Sequence, residues 1–166
     1  MLKSLRLKDY SKSPQTLGEQ MLDLANRIRE VFKVGRVTRL DGKCGGYVHH
    51  AGTTVGVLVE VTGGNPEAAK DVCMHIAAMK PLVLAKEDLD PAVVEKEREI
   101  FTESTRKEGK PENIIPKMIE GRLKQYFAEK VLLEQPFVKD DKLTIGKVAE
   151  GAKMKVLRFQ RWETGK

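Results

Sequence analysis

The chain has 166 residues, of which 40% are hydrophobic and 33% are charged. A chain of this length can bury about 70% of the surface that it exposes when unfolded, so it can form one domain or two small subdomains. The composition excludes a disordered chain, and no apolar run approaches the roughly 18 residues that a membrane-spanning helix requires. We therefore expect a globular protein without a membrane partner.

The formal net charge of +6 and the pI of about 9.3 favour contact with nucleic acid, ribosomes or an acidic protein surface. However, lysine and arginine are interleaved with glutamate and aspartate along most of the chain, and no recognised DNA- or RNA-binding motif accompanies the charge. Nucleic acid is therefore not expected to be the main partner.

The chain has two cysteines, Cys44 and Cys73. Two thiols without a secretory signal are typical of a reducing compartment, so we expect free thiols and a cytoplasmic location. Residues 1–8 are basic and amphipathic, but they lack the apolar stretch of a signal peptide and the length of a transit peptide. Residues 1–15 are interpreted as a flexible N-terminus.

The segment after this N-terminus predicts a helix followed by a β-hairpin. A helix from about 16 to 32 is indicated by apolar residues at helical spacing, namely Leu17, Met21, Leu24, Ile28 and Val31. Residues 34–40 and 47–50 favour strands, and residues 41–46 between them are rich in turn formers. We therefore predict a hairpin whose turn contains Gly42, Gly45 and Gly46.

A second strand–helix pair follows the hairpin. Residues 55–61 are apolar enough to form a central strand of the sheet. Asn65 is the expected N-cap of a helix that starts at Pro66 or the next residue and continues to Met79. Residues 82–84 are predicted to be extended.

Two polar segments predict an antiparallel helical hairpin. Residues 91–108 and 113–128 have helical patterns, and Gly109-Lys110-Pro111 forms a turn between them. The later half of 91–108 is nearly all polar, which leaves too few apolar residues for a helix buried in a globule, so we expect a coiled-coil-like hairpin that protrudes from the body. Pro116 predicts that the second helix starts near residue 113 or is kinked there.

The chain is expected to end with a short helix at 144–149 and a strand at 154–162, whose facing is uncertain because its alternation is imperfect. The predicted fold is α+β, with an antiparallel sheet of three or more strands packed on helices. The predicted division is a core subdomain at 16–90, the hairpin at 91–128, and a return segment at 129–166 that completes the core.

Metal, cofactor and catalytic sites are not expected. His49 and His50 are adjacent on a predicted strand and point to opposite faces, so together with His75 and Cys44 they make a poor metal site. Nothing in the sequence supplies an orienting group or an oxyanion hole for a cysteine–histidine pair. The glycines of residues 41–46 fit neither the Walker pattern nor the dinucleotide-binding pattern of a phosphate-binding loop.

Exposed apolar and aromatic residues at segment edges indicate partner binding instead. They are expected in the hairpin, at Tyr47 and His49, and in a loop, at Gln135, Pro136, Phe137 and Val138. Interface cores favour aromatic and bulky apolar groups of this kind. We therefore predict that these six residues contact a partner protein.

Several ordered blocks of the sequence are similar to those of one family, bacterial elongation factor Ts. The matching blocks are Tyr47–His50, Val55–Glu60, Met74–Pro81, Val94–Glu97, Lys117–Leu123 and Leu133–Val138. The resemblance covers roughly residues 17–163 and corresponds to the C-terminal part of the family's core, or dimerisation, domain.

The resemblance implies an α+β core with a helical hairpin and a function without bond chemistry. Family members bind elongation factor Tu and accelerate GDP release, so that GTP can enter. The resemblance further implies that Tyr47, His49, Phe137 and Val138 lie on the side that meets the β-barrel part of Tu.

The sequence also departs from the family pattern. It contains no counterpart of the small N-terminal helical domain, of the Thr-Asp-Phe-Val segment that inserts into the nucleotide domain of Tu, or of the extra C-terminal helical module. Three interpretations follow. The chain is a Ts-type exchange factor, a Ts-derived binding or dimerisation module that has lost exchange and pairs through the 91–128 hairpin, or a basic ribosome- or RNA-associated protein.

Overall fold

The computed structural model describes residues 16–31 and 33–164, except for the side chain of Ala51. The chain divides into two compact units at residues 39 and 40, and each unit is described by itself. The predicted flexible segment 1–15 lies outside the described residues.

In the first unit, the predicted N-terminal helix is present as α1 (Leu17–Ile28). Its start is fixed by a capping box, because Thr16 Oγ1 accepts a hydrogen bond from the Glu19 N–H and the Glu19 carboxylate accepts one from the Thr16 N–H. The helix ends at Arg29, whose φ of 58° is left-handed. It is therefore four residues shorter at its C-terminus than predicted. Residues 34–40 form no strand, so that prediction is wrong.

The described part of the second unit contains the sheet, four further α-helices and two short 3-10 helices, Lys86–Asp88 and Leu132–Glu134. Its elements in chain order are β1 (Lys43–Ala51), β2 (Thr53–Gly63), α2 (Pro66–Met79), α3 (Pro91–Lys107), α4 (Ile115–Lys130), β3 (Pro136–Phe137), β4 (Asp140–Thr144), α5 (Ile145–Gly151) and β5 (Met154–Glu163). The described strands form an antiparallel three-stranded sheet in the order β1-β2-β5 and a small β3-β4 pair. The α+β fold class with an antiparallel sheet packed on helices is confirmed.

The hairpin turn lies at a different place from the predicted one. β1 pairs with β2 from Lys43↔Val61 to Ala51↔Thr53, and the chain reverses at Gly52, whose φ is 76°. Residues 43–46 are strand, not turn, so the prediction of a turn at 41–46 is wrong. The physical reason is packing: a Cβ on Gly45 would lie 2.7 Å from the Cβ of Ala69 on α2, so the glycine allows the helix to approach β1 closely.

β2 is the central strand, as predicted. Its alternate residues Val55, Val57, Val59 and Val61 are all buried and pack against one face of the core. The same core contains residues of α2, which begins after the predicted N-cap: the Asn65 side chain accepts a 2.8 Å hydrogen bond from the Ala68 N–H.

A β-bulge explains the imperfect alternation of β5. Val61 pairs with Val156, but Glu60 pairs with Arg158, which leaves Leu157 as an extra residue. Met154 and Val156 are buried before the bulge, and the register then shifts so that Phe159 pairs with Val59. Even-numbered residues of β5 therefore face the core before Leu157, and odd-numbered residues face it afterwards.

The predicted helical hairpin is formed by α3 and α4. The two helices are joined through Gly109, whose φ is 70°, and they share a small core that contains Ile115, Ile119 and Leu123. Val94, Phe101 and Phe127 pack against these three residues. Pro116 lies in the first turn of α4, where proline is tolerated, so the helix needs no kink.

The last part of the chain returns to the main core. Ile145 and Ala149 of α5 and Met154 and Val156 of β5 are buried there with β2 and α2. Within the described part of the chain, none of the helices combines the length and the apolar character that crossing a bilayer would require.

Candidate functional site

The first group of predicted contact residues lies on β1. Tyr47 and His49 pair with Val57 and Val55, so they are on the helix-covered face of the sheet, near its edge. The Tyr47 hydroxyl is 3.1 Å from His49 Nδ1, and the two rings are stacked with centroids 6.1 Å apart. Tyr47 is half-buried against the core, whereas His49 is exposed. The hydroxyl and the exposed imidazole therefore form a small aromatic surface with hydrogen-bonding capacity.

His50 has a different environment from its neighbour. It lies on the opposite face of β1, and its Nδ1 is 3.0 Å from Thr54 Oγ1. Within residues 16–31 and 33–164, no group of three or more His, Cys, Asp or Glu side chains is arranged to hold a metal ion.

The second group of predicted contact residues is divided between the surface and the core. Pro136 is exposed and Val138 is 45% exposed, as their predicted role requires. Gln135 is fully buried and Phe137 is only 8% exposed, so the predicted exposure of these two side chains is wrong. Their positions are explained by a polar network around His75.

Gln135 is fixed by hydrogen bonds from both ends of its amide. Its Oε1 lies 2.9 Å from His75 Nε2, and its Nε2 donates a 2.8 Å hydrogen bond to the carbonyl oxygen of Glu129. A buried amide without these partners would cost free energy, so the network makes its burial possible. Gln135 thereby ties the end of the α4 region to α2.

His75 also holds the exposed turn. Its Nδ1 accepts a 3.3 Å hydrogen bond from the backbone N–H of Val138. Because Nδ1 is an acceptor, the ring proton must be on Nε2, which then donates to Gln135. Burial lowers the pKa of His75, and the hydrogen bond to Gln135 opposes this shift in part. The imidazole is therefore the neutral Nε2–H tautomer at neutral pH.

Two further contacts attach the turn to α2. The ring of Phe137 lies 6.1 Å from the ring of His75, in a tilted arrangement. Lys139 Nζ lies 2.7 Å from Asp71 Oδ1, which forms an ion pair next to the exposed Val138. The 136–139 turn is thus held by an aromatic contact, a backbone hydrogen bond and an ion pair, and it displays Pro136 and Val138.

Sequence reasoning missed His75 as the centre of this network. A signal was present, because His75 follows Val72 and Cys73 and precedes Ile76 on the apolar side of α2, and a buried imidazole requires a partner. The partner could not be identified from the local pattern, since Gln135 is 60 residues away in the sequence.

The family can now be assigned. Residues 2–166 match the family model described as Elongation factor TS. The chain belongs to the elongation factor Ts family. The resemblance found in the sequence is therefore confirmed.

The matches include curated relatives named Elongation factor Ts from several bacteria. The relative from Thioalkalivibrio sulfidiphilus is 45% identical over 144 residues, which is 86% of this chain and 49% of the relative. The relative from Alkalilimnicola ehrlichii is 43% identical over 155 residues, or 91% of this chain and 52% of the relative. The relative from Deinococcus deserti is 40% identical over 159 residues, or 95% of this chain and 59% of the relative. The chain spans about half the length of the curated relatives it matches.

The two thiols of this elongation factor Ts family member are both free. Burial raises the pKa of Cys73 to about 12. Cys44 is exposed, and its pKa is also raised, first by desolvation and then by the nearby charge of Glu60. Both thiols are therefore protonated at neutral pH, which makes them poor nucleophiles.

The face of the sheet opposite α2, which we call the uncovered face because side chains of the described residues are exposed on it, carries a second surface. Val48 of β1 is 57% exposed and Leu58 of β2 is 38% exposed, and both lie on the face away from the buried valines of β2. Glu60 and Arg158 form an ion pair across β2 and β5 on the same face. Apolar side chains bordered by an ion pair are typical of an interaction surface.

Proposed function

We propose that the chain binds elongation factor Tu and promotes the exchange of GDP for GTP on it. The observation that carries this proposal is the family match over residues 2–166. The curated relatives that support it bear the name Elongation factor Ts and are about twice as long as the matched region. The proposal therefore assigns to this chain a function of the longer proteins.

The proposed contact surface has four members, Tyr47, His49, Pro136 and Val138. Its two parts are supported from one core, because Tyr47 packs against the cluster that contains Phe137. Gln135 acts as a positioning residue, since its side chain is fully buried. A turn fixed before binding loses less conformational freedom when a partner attaches to it.

Release of labelled GDP from elongation factor Tu, with and without the chain, tests exchange, and a pull-down of the same two proteins tests binding. Acceleration together with binding supports the proposal. Binding without acceleration would restrict the function to a Tu-binding module. Absence of binding at low salt would overturn both. Binding that falls steeply with salt and persists on RNA instead of Tu would support the ribosome- or RNA-associated alternative.

Substitutions on the proposed surface sharpen this test. Val138→Asp places a charge at an exposed apolar position and is expected to weaken Tu binding about tenfold or more, without unfolding the chain. Val93→Asp is the matched control, because Val93 is 43% exposed, close to the value for Val138, and lies on α3, outside the surface. Equal effects of the two substitutions would contradict the proposed location.

His49→Ala and His50→Ala form a second matched pair. The two residues are adjacent and exposed, but they lie on opposite faces of β1. We expect weaker Tu binding for His49→Ala and unchanged binding for His50→Ala. The reverse result would place the contact on the uncovered face of the sheet.

A second candidate function is self-association as a Ts-derived binding module. The observation that favours it is the uncovered sheet face with the exposed side chains of Val48 and Leu58. Burial of such a face against a second copy would remove both from water at a gain of about 25 cal/mol per Å². Light scattering after size exclusion tests it. A dimer that Leu58→Glu converts to a monomer supports the sheet face, whereas a dimer that Ile100→Glu on α3 disrupts supports the predicted hairpin.

A further inference from the structure

A groove of about 640 Å³ follows the outer edge of β5. One wall is formed by Leu157–Arg161 of β5, and the other by Lys80–Leu84 together with Asp88. This volume is in the range of about 300–1,000 Å³ that ligand sites have. The groove is separate from the proposed Tu-binding residues on β1, because β1 and β5 are opposite edges of the sheet.

The groove runs along an open strand edge. Among the described strands, β5 is paired with β2 and with no other strand. The facing segment uses its backbone elsewhere: the Leu82 N–H donates to the Lys130 carbonyl, and the Val83 carbonyl accepts from the Leu132 N–H. Beyond the bulge at Leu157, the unpaired edge of β5 therefore offers alternating N–H and C=O groups to a ligand that enters the groove.

The groove also has a cationic end. Arg161 donates a 3.0 Å hydrogen bond from Nη2 to Glu163, and Lys80 Nζ lies 3.6 Å from the same carboxylate oxygen. Two cations thus share one anion. In addition, Arg161 Nε is buried and has no hydrogen-bond partner among the described residues. The Lys80 side chain is 55% exposed, so its ammonium group can donate a hydrogen bond to a carboxylate that enters the groove.

We propose that this groove binds an acidic peptide segment in an extended conformation, which adds to β5 as a fourth strand. The backbone of the segment pairs with Leu157–Arg161, and one of its carboxylates is received by Arg161 and Lys80. Leu82, which is 65% exposed, and Leu157, which is 41% exposed, provide apolar contacts for alternate side chains.

The chemistry of the edge selects a peptide over a nucleic acid. A phosphodiester backbone would satisfy Arg161 and Lys80, but it has no N–H donors for the carbonyl groups of β5. An extended peptide satisfies both the cationic end and the strand edge. The combination of the two features in one groove therefore identifies the class of ligand.

Titration of the isotope-labelled chain with defined peptides, followed by amide NMR, tests the proposal. The probe is a capped peptide of about eight residues, a usual strand length, that alternates valine and glutamate. It is expected to shift the amides of Leu157–Arg161 and to slow their hydrogen exchange. The same peptide with lysine in place of glutamate is expected to bind about tenfold more weakly or not at all. The valine–glutamate peptide with N-methylated alternate amides is expected not to bind, because it cannot complete the ladder.

Substitutions in the groove test the cationic end. Lys80→Gln and Arg161→Gln are each expected to lower the affinity for the valine–glutamate peptide about tenfold. Lys80 is exposed, so its substitution keeps the test valid if the half-buried Arg161 is needed for folding. Lys155→Gln is the matched control, because Lys155 is exposed on β5 outside the groove, and it should leave the affinity unchanged.

Four results would overturn the proposal. Equal binding of the two peptides would remove the charge argument, and tight binding of the N-methylated peptide would remove strand addition. Inorganic phosphate that produces the same amide shifts and displaces the peptide would reduce the groove to an anion site. Concentration-dependent shifts of Leu157–Arg161 without any peptide would show that a second copy of the chain occupies the edge.

Discussion

The pH dependence of stability tests the network around His75. His75 is fully buried, and its Nδ1 accepts from the Val138 N–H, so protonation of the ring would break this hydrogen bond and place a charge in the core. Burial lowers the pKa of His75 below 6.5, the ordinary value for a histidine side chain. In the unfolded chain the ring regains an ordinary pKa of about 6.5.

The sign of the effect follows from proton binding in the two states. Below about pH 6.5 the unfolded chain binds a proton that the folded chain excludes, so stability falls as the pH falls toward the folded pKa. Above that pH both states are neutral and the contribution is constant. If the folded ring stays neutral throughout, the loss between pH 7.5 and pH 5.5 is about 1.4 kcal/mol, which is the upper limit for one histidine.

Urea unfolding at a series of pH values measures this contribution. His75→Gln removes the titrating ring. The loss of unfolding free energy between pH 7.5 and pH 5.5 should therefore be smaller in this variant than in the unsubstituted chain, by up to about 1.4 kcal/mol. His50→Gln is the control, because His50 is exposed, and it should keep the full slope. Identical slopes for the unsubstituted chain and His75→Gln would refute the assignment of a neutral, buried imidazole.

Three further predictions concern packing and thiol chemistry. Gly45→Ala should destabilise the chain by about 1–3 kcal/mol in urea unfolding, because the new Cβ would lie 2.7 Å from the Cβ of Ala69. Leu123→Ala should cost about 2–5 kcal/mol, since Leu123 is buried in the small core of the helical hairpin, and hydrogen exchange should show the loss in α3 and α4. In the native chain a thiol reagent should modify Cys44 and spare the buried Cys73 until the chain unfolds, and the reaction at Cys44 should be slow at neutral pH because its pKa is raised.

Each of these predictions has a control within the chain. Gly56→Ala on β2 should be tolerated better than Gly45→Ala, because nothing lies within 4 Å of the added Cβ. Val93→Ala on α3 should cost little, since Val93 is 43% exposed. Faster modification of Cys73 than of Cys44 would contradict the burial of the former.

Local signals were sufficient for much of the fold. The Asn65 cap, the proline after it and the apolar run at 55–61 each act within a few residues, and the structure has α2 and the central strand where these signals predict them. Patterns within single segments likewise predict the helices of the hairpin and the strand that starts at Met154.

The errors occurred where a distant contact overrides the local preference. Glycine-rich residues usually form turns, but Gly45 lies in a strand because α2 approaches it through Ala69, 24 positions further along the chain. The bulge at Leu157 depends on pairing with β2, almost a hundred residues earlier, so no window on β5 alone could reveal it. A local sequence pattern indicates the preference of a segment for helix, strand or turn, but it does not identify the distant segment against which it packs.

In the candidate site, too, distant contacts decide what the local sequence does not predict, namely which side chains are buried. The sequence predicts that Gln135 and Phe137 are exposed together with Pro136 and Val138, because the four residues are expected in one loop at a segment edge. In the structure the first two support the turn from the core and the second two are displayed on it. One short block of sequence therefore contains buried side chains that support the turn and exposed side chains that a partner can reach, and substitutions distinguish the two kinds. Substitution of Gln135 should lower stability and the proposed binding of Tu together, whereas substitution of Val138 should lower the proposed binding alone.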